Sequence, residues 1–284
     1  MTIPRADMPL PPQFVFDDPA AYELMMGRWS ALVADPFLDW LALPPGLAWL
    51  DDGCGNGSFT ESLLRRQRPA TVVGVDPSPE QLAFARQRVS TVGVRFLQGD
   101  AQALPLSDAS VDAAVMALVL FFLADPQQGI RELVRVTRPG GTIAAYHWDM
   151  DGGGFPLQPI RDAAHADGYE PQKPPSAWAA TLEASEDLWL QAGLLDVRTT
   201  QIEVYRDFDS FDDFWRTAQG NPRLRDFFAS LAPSVLQRLK GRVREQLGVA
   251  GDGPLVLKAR SNAVQGRKRQ VVHTQVASDA ETAY

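Results

Sequence analysis

Leu50-Asp51-Asp52-Gly53-Cys54-Gly55-Asn56-Gly57 joins a short β-rich apolar run, residues 48–53, to a helix-compatible segment, residues 58–67. Glycines at such a strand-to-helix turn let the backbone bend tightly and approach a ligand with no Cβ in the way, while Asp51 sets a carboxylate at the strand end. Taken alone, the stretch reads as a plain tight turn or as a dinucleotide loop. It fails the dinucleotide pattern G-x-G-x-x-G, because the sixth position is Ser58 counting from Gly53 and Thr60 counting from Gly55. The spacing is G-x-G-x-G instead.

Two further acids follow at matching places. Val73-Gly74-Val75-Asp76-Pro77-Ser78 ends a second run 19 residues past Gly57, and Gln98-Gly99-Asp100-Ala101 ends a third. A carboxylate at the second place can accept both hydroxyls of a ribose, although an isolated Asp there is more often a strand-end cap. Runs at 111–118 and 142–148 alternate with helical segments at 79–89 and 126–137, the signature of βαβ units and a mostly parallel sheet. In such an open sheet the three acids Asp51, Asp76 and Asp100 share the carboxyl edge, the usual ligand crevice. Their common order and spacing carries the reading.

Outward from this core the chain changes character. Residues 22–40 are helix-compatible, with Leu24, Met25, Trp29, Leu32 and Val33 on one side, and residues 1–45 are expected to form a helical cover. Residues 46–265 are expected to form the core domain, with inserted cover segments at 150–180 and 209–248. Within the second, Ser210-Phe211-Asp212-Asp213 resembles a capping box, and Leu236, Leu239, Val243 and Leu247 keep helical spacing. Strands are expected at 197–205 and 255–259, and residues 266–284 as a poorly ordered tail.

The chain has 284 residues and a net charge of −8, which argues against a nucleic-acid or anionic-membrane binder, since those show a basic face to polyanions. One cysteine, Cys54, and three separated histidines give no structural zinc site, and no metal is expected. The start lacks the apolar core of a secretory signal, and the longest apolar stretch, residues 111–124, is too short to span a bilayer. The expectation is a cytoplasmic protein with no membrane insertion.

The 50–57 turn and the strand-end acids resemble those of class I S-adenosylmethionine-dependent methyltransferases, and more closely the small-molecule branch similar to ubiquinone/menaquinone-type (type 11) enzymes. The resemblance is good over residues 22–148 and topological beyond. It implies an α/β, Rossmann-like fold with a mostly parallel seven-stranded sheet, helices on both faces and a helical cover. It also implies S-adenosyl-L-methionine as cofactor. Asp51, Gly53, Cys54, Gly55 and Gly57 would pass under its methionine portion. Asp76, with Pro77 and Ser78 after it, would hold the ribose; Asp100 would face the adenine amino group beside Ala101. Leu118 to Phe122 would lie near the sulfonium, and Tyr22 and Arg28 would close over the cofactor, Arg28 at its carboxylate. Arg138-Pro139-Gly140-Gly141 looks like the family's turn before the fifth strand. Two residues depart from the pattern: Asp52, where an apolar side chain is usual, and Phe121, where a polar one is.

The implied reaction is an in-line methyl transfer to a small-molecule acceptor, the protein contributing alignment and exclusion of water. Tyr22, Trp29 and Phe122 are aromatic faces available to a sulfonium cation, or simply packed rings. If the acceptor must lose a proton, His147 at the end of the fifth strand is the expected base, with His165 next. Ala117 to Phe122 lacks the Asp/Asn-Pro-Pro-aromatic motif that amino-directed DNA methylases resemble, and the aromatic-rich insertions suit a partly hydrophobic acceptor. Two alternatives stand beside this reading. One is a fold-mate that binds the cofactor or its demethylated product without turnover; the other, disfavoured by the failed G-x-G-x-x-G, is an NAD-dependent oxidoreductase.

Overall fold

In the computed structural model, which describes residues 23–169 and 173–270, the apolar runs become five parallel strands. They are β1 (Ala48–Asp52), β2 (Thr71–Asp76), β3 (Val94–Gln98), β4 (Val111–Ala117) and β5 (Thr137–Trp148). Two later strands, β6 (Leu195–Phe208) and β7 (Leu255–Arg267), complete a seven-stranded sheet of order β3-β2-β1-β4-β5-β7-β6, with β7 antiparallel to both neighbours. The order reverses between β1 and β4. A crevice opens at the carboxyl edge there, where the chain leaves β1 for one face of the sheet and β4 for the other.

Helices cover both faces. On one lie α1 (Arg28–Leu41), α2 (Ser58–Gln67) and α3 (Pro79–Arg88); on the other lie α4 (Pro126–Val136) and, after α5 (Gln158–Ala166), α6 (Leu182–Gln191). Local chemistry sets their starts. Ser78 and Asp125 each accept an amide hydrogen bond three residues on, from Gln81 and Gln128, and each is followed by proline at the first helical position. The core is large: Trp49, Leu50, Phe37, Leu63 and Tyr146 are sealed around β1, β5 and the α1–α2 face. Burial of this apolar surface, worth roughly 25 cal/mol per Å², orders the turn that β1 feeds.

Two expectations about the strands need correction, and one about the second insertion holds. The strand expected at 142–148 begins at Thr137, directly after α4, so Arg138-Pro139-Gly140-Gly141 lies inside β5 as an irregularity between the Val111 and Ala113 pairings. The last strand, expected at 255–259, runs on to Arg267, so residues 266 and 267 are paired strand rather than tail. The second insertion is three helices, α7 (Phe211–Ala218), α8 (Pro222–Ser230) and α9 (Pro233–Gln246), the first capped by Ser210 as expected. The expected tail from 271 to 284, and Tyr22, lie outside the described residues. Among those described, no helix is long and apolar enough to cross a membrane.

Because Trp148, the last residue of β5, pairs with Ser261, the β6–β7 hairpin continues past the sheet edge as a two-stranded arm to Phe208 and Leu255. Its inward row, Ile202, Val204, Arg206 and Phe208, is buried, with Trp29 of α1 against Phe208.

Candidate active site

The turn after β1 is tied to the second strand twice. The amides of Gly53 and Cys54 both donate to the Val75 carbonyl, at 2.7 and 2.9 Å, and the Gly55 amide donates to Asp76 Oδ2 at 2.8 Å. Asp76 Oδ1 accepts from the Ser78 amide at 2.9 Å. Burial raises the Asp76 pKa, and these two backbone bonds pull against it without cancelling the shift. Gly55 has φ +51°, and a Cβ built on it meets nothing within 4 Å, so the turn faces open space at that residue. Gly57 is the opposite case. At φ +82°, its Cβ would press on Ala85 of α3, 3.2 Å from that residue's Cβ.

The two carboxyls of the turn point to opposite faces. Asp51 is sealed, accepts a short hydrogen bond from Thr60 Oγ1 of α2, and keeps Oδ1 without a partner among the described residues. Burial first, and the Asp76 charge after it, raise its pKa to about 7, against the pull of Thr60. Asp52 is equally sealed, with neither oxygen hydrogen-bonded among the described residues. Burial pushes it well above the usual carboxylate range, and the charges of Asp51, Asp76, Asp100 and Glu132 push the same way.

The other expected residues gather around this edge. Asp100 is exposed just past β3, its Oδ1 accepting the Gln102 amide at 2.8 Å, with Ala101 buried beside it. The Gly99 amide bonds the Asp76 carbonyl at 3.1 Å, which joins the two acid-bearing loops. Leu118, one residue past β4, is left-handed at φ +64° and donates its amide to the Tyr146 carbonyl. Such a backbone costs a non-glycine residue about 1–2 kcal/mol. Pro77 is exposed, Ser78 half-buried, and Cys54 buried against α3, its thiol pKa raised by burial and by the nearby acids. Arg28, exposed at the start of α1, acts on the charges of both Glu23 and Arg206.

Sequence reasoning missed the clamp that seats the cover. A π-helical turn, Glu23–Gly27, precedes α1. Glu23 accepts from Asn56 Nδ2 of the glycine turn at 2.8 Å and from both terminal nitrogens of Arg88 at 2.7 and 3.1 Å. Burial raises the Glu23 pKa, but hydrogen bonds and charge from Arg88 outweigh it and leave the carboxyl below its usual range. Arg88 also reaches Glu61 at 2.9 Å. Asn56, between two of the expected glycines, was the one local signal.

His147 is not brought to this site. It is sealed between β5 and α6, with Nε2 2.7 Å from Ser185 Oγ, and burial drops its pKa to about 4 despite Asp149. That placement stands against the expected general base. His165 is exposed on α5. Trp29 is packed edge-on to Trp148, whereas Phe122 is half-buried against Phe121.

Residues 50–145 match a family model described as a methyltransferase domain. Among similar proteins, an uncharacterized protein of Mycobacterium tuberculosis is 34% identical over 46% of this chain and 48% of its own length. The malonyl-[acyl-carrier protein] O-methyltransferase of Pectobacterium atrosepticum is 42% identical over 37% of this chain and 41% of its own. The chain thus spans less than half the length of these relatives. A solved structure of a Haemonchus contortus phosphoethanolamine N-methyltransferase, in complex with S-adenosylhomocysteine, superposes with a TM-score of 0.55 over 91% of this chain and 59% of that one, at 18% identity. This shared architecture is the class I methyltransferase fold, with its Rossmann-like, mostly parallel seven-stranded sheet.

Proposed function

We propose that this chain, whose residues 50–145 match a methyltransferase-domain family model, catalyses methyl transfer from S-adenosyl-L-methionine to a small, partly hydrophobic acceptor. The observation that carries the reading is the junction of Asp76 with the Gly55 amide, beside a turn whose Gly55 faces open space. It sets a strand-end carboxylate against a backbone that a ligand can approach closely.

The residues fit the cofactor. Asp51 offers a buried oxygen with no partner among the described residues, Gly55 a backbone approach that no neighbouring atom crowds, and Asp76 and Asp100 carboxylates in sequence along the edge. Asp76, supported by Pro77 and Ser78, would hold the ribose hydroxyls, and Asp100 with Ala101 the adenine. Gly53, Cys54, Gly55 and Gly57 form the backbone under the methionine portion, and Leu118 stands near the reacting centre. Arg28 is placed in the cover for a carboxylate. Tyr22, outside the described residues, keeps its proposed place in that cover.

The bound cofactor supplies an activated methyl group on a sulfonium. The work left to the chain is alignment and exclusion of water. The Glu23–Asn56–Arg88 clamp seats the cover on the turn, and the β6–β7 arm closes the far side. No residue near β4 is assigned as a base. His147 is neutral at pH 7 and tied to Ser185, so the proposal routes no proton through it.

The test is formation of the demethylated product, S-adenosylhomocysteine, from S-adenosylmethionine with a panel of small acceptors, read by mass spectrometry. Acceptor-dependent product supports transfer. Tight binding of the product with no turnover across the panel would favour the non-catalytic binder, and calorimetric binding of NAD in its place would favour an oxidoreductase.

A further inference from the structure

Ser176 stands at the start of a short helical turn, Ala177–Ala180, in the insertion between β5 and α6. A serine there ordinarily caps the helix it opens, yet its side chain makes no such hydrogen bond. Instead its amide donates to the Phe121 carbonyl at 3.0 Å and its hydroxyl to the Leu123 carbonyl at 2.8 Å. One buried residue thus holds the carbonyls on either side of Phe122, in the turn Leu120–Phe122 that follows β4. The approach to that turn is fixed as well, by the Leu118 amide on the Tyr146 carbonyl at 2.9 Å. Between these anchors Val119 lies against the glycine turn, where a Cβ on Gly53 would collide with its side chain. The segment from Leu118 to Phe122 therefore borders the crevice across from Gly53, at the point where strand order reverses. Trp29 is sealed against Trp148, whereas Phe122 is only half-buried and packs beside the cluster that holds Trp29, Leu118 and Phe121.

We propose that Ser176 is a positioning residue of the methyl-transfer site, holding the turn after β4 so that the Phe122 ring faces the sulfonium of the bound cofactor. The inference rests on the methyltransferase reading and gives the insertion a task within it. With the ribose at Asp76, which ends β2, and the adenine at Asp100, just past β3, the chain leaving the ribose runs back towards β1 and β4. Its sulfur falls between the glycine turn and the segment from Leu118 to Phe122, which Gly53 and Val119 bring together. A ring face attracts a cation through its quadrupole, more strongly where water is excluded. The neutral thioether of the demethylated product gains nothing from that attraction, so the ring favours cofactor over product. A half-buried ring on a three-residue turn keeps its orientation when the backbone beneath it is held, and the two hydrogen bonds from Ser176 hold it.

The experiment is calorimetric titration of the wild-type chain, Phe122→Leu, Phe122→Tyr, Ser176→Ala and Ser176→Thr with S-adenosylmethionine and S-adenosylhomocysteine, which differ by one methyl group and one positive charge. The readout is the ratio of the two dissociation constants. Phe122→Leu should weaken S-adenosylmethionine by about three- to tenfold relative to S-adenosylhomocysteine, and Phe122→Tyr should keep the wild-type ratio. Ser176→Ala should move the ratio the same way by about threefold, and Ser176→Thr, which retains the hydroxyl, should restore it. An unchanged ratio in Phe122→Leu or in Ser176→Ala overturns the proposal. Equal loss of both ligands in Ser176→Ala overturns it too, since a serine that serves folding alone would act on both. Should Ser176→Ala not fold, Ser176→Cys, of similar size with a weak donor, is read by the same ratio. Each of these results leaves the methyltransferase reading intact, whereas binding of neither ligand to the wild type overturns that reading first.

Discussion

Asp76 Oδ2 accepts the Gly55 amide at 2.8 Å, so the acid that ends β2 also holds the turn that follows β1. One carboxylate therefore shapes the glycine turn and is also the group to which the proposed function assigns the ribose. Asp76→Ala removes the acceptor for two backbone amides along with the proposed ribose contact. It should weaken S-adenosylhomocysteine binding by about a hundredfold, corresponding to roughly 2–3 kcal/mol, in a calorimetric titration.

Gly55 and Gly57 should separate ligand space from packing. Both are left-handed, so alanine strains either by about 1–2 kcal/mol. Only at Gly57 does the new Cβ also press on α3, at 3.2 Å from Ala85 Cβ and 3.3 Å from its Cα. Gly57→Ala should accordingly lower the melting temperature by several degrees more than Gly55→Ala. The latter should fold and lose cofactor affinity. Paired denaturation and binding curves check both.

The cover clamp predicts a coupling. Glu23→Gln leaves Arg88 without its bidentate carboxylate but preserves an acceptor for Asn56. Arg88→Met removes the cation and spares the turn. Both variants should weaken cofactor binding several-fold, and the double variant by no more than the larger single effect plus a few tenths of a kcal/mol, as one shared interaction requires. Full additivity in the double-mutant cycle would show that the two side chains act separately.

Two buried groups give stability opposite dependences on pH. His147 falls from an ordinary 6.5 to about 4, so between those values the unfolded chain holds the extra proton and stability declines as pH drops. Asp51 rises from 3.8 to about 7, so in that window the folded chain holds the extra proton and stability declines as pH climbs. Each slope is bounded by about 1.4 kcal/mol per pH unit. Over the shared window the two slopes oppose each other, so denaturant titrations should show stability falling as pH climbs from 4 to 6.5 in His147→Gln and rising over that range in Asp51→Asn. His147→Gln should also leave methyl transfer unchanged at pH 7.

The sequence reading was most successful where chemistry is local. Helix α2 spans Ser58–Gln67, the helix-compatible segment after the glycine turn, β2 ends at Asp76, and the three acids lie at or near the ends of neighbouring strands. It was least successful where burial comes from pairing. Ser261, Asn262 and Gln265 are polar yet sealed, because β7 runs between β5 and β6 and Asn262 donates to the Ala180 carbonyl at 2.8 Å. Hydropathy ended that strand too early. Pro139-Gly140-Gly141 looked like a stop, but the strand tolerates it at a register shift. The clamp was illegible for another reason: Glu23 and Arg88 are 65 residues apart, and no periodicity records a contact of that range. His147 was placed at the right strand end, but sequence could not reveal that its alternation turns it beneath α6.

The most direct measurement of the central claim is a calorimetric titration of the purified chain with S-adenosylhomocysteine, alongside NAD. Saturable one-to-one binding of the nucleoside thioether, weakened about a hundredfold in Asp76→Ala, and no binding of NAD are expected. No heat with S-adenosylhomocysteine, or binding that Asp76→Ala leaves untouched, would contradict it.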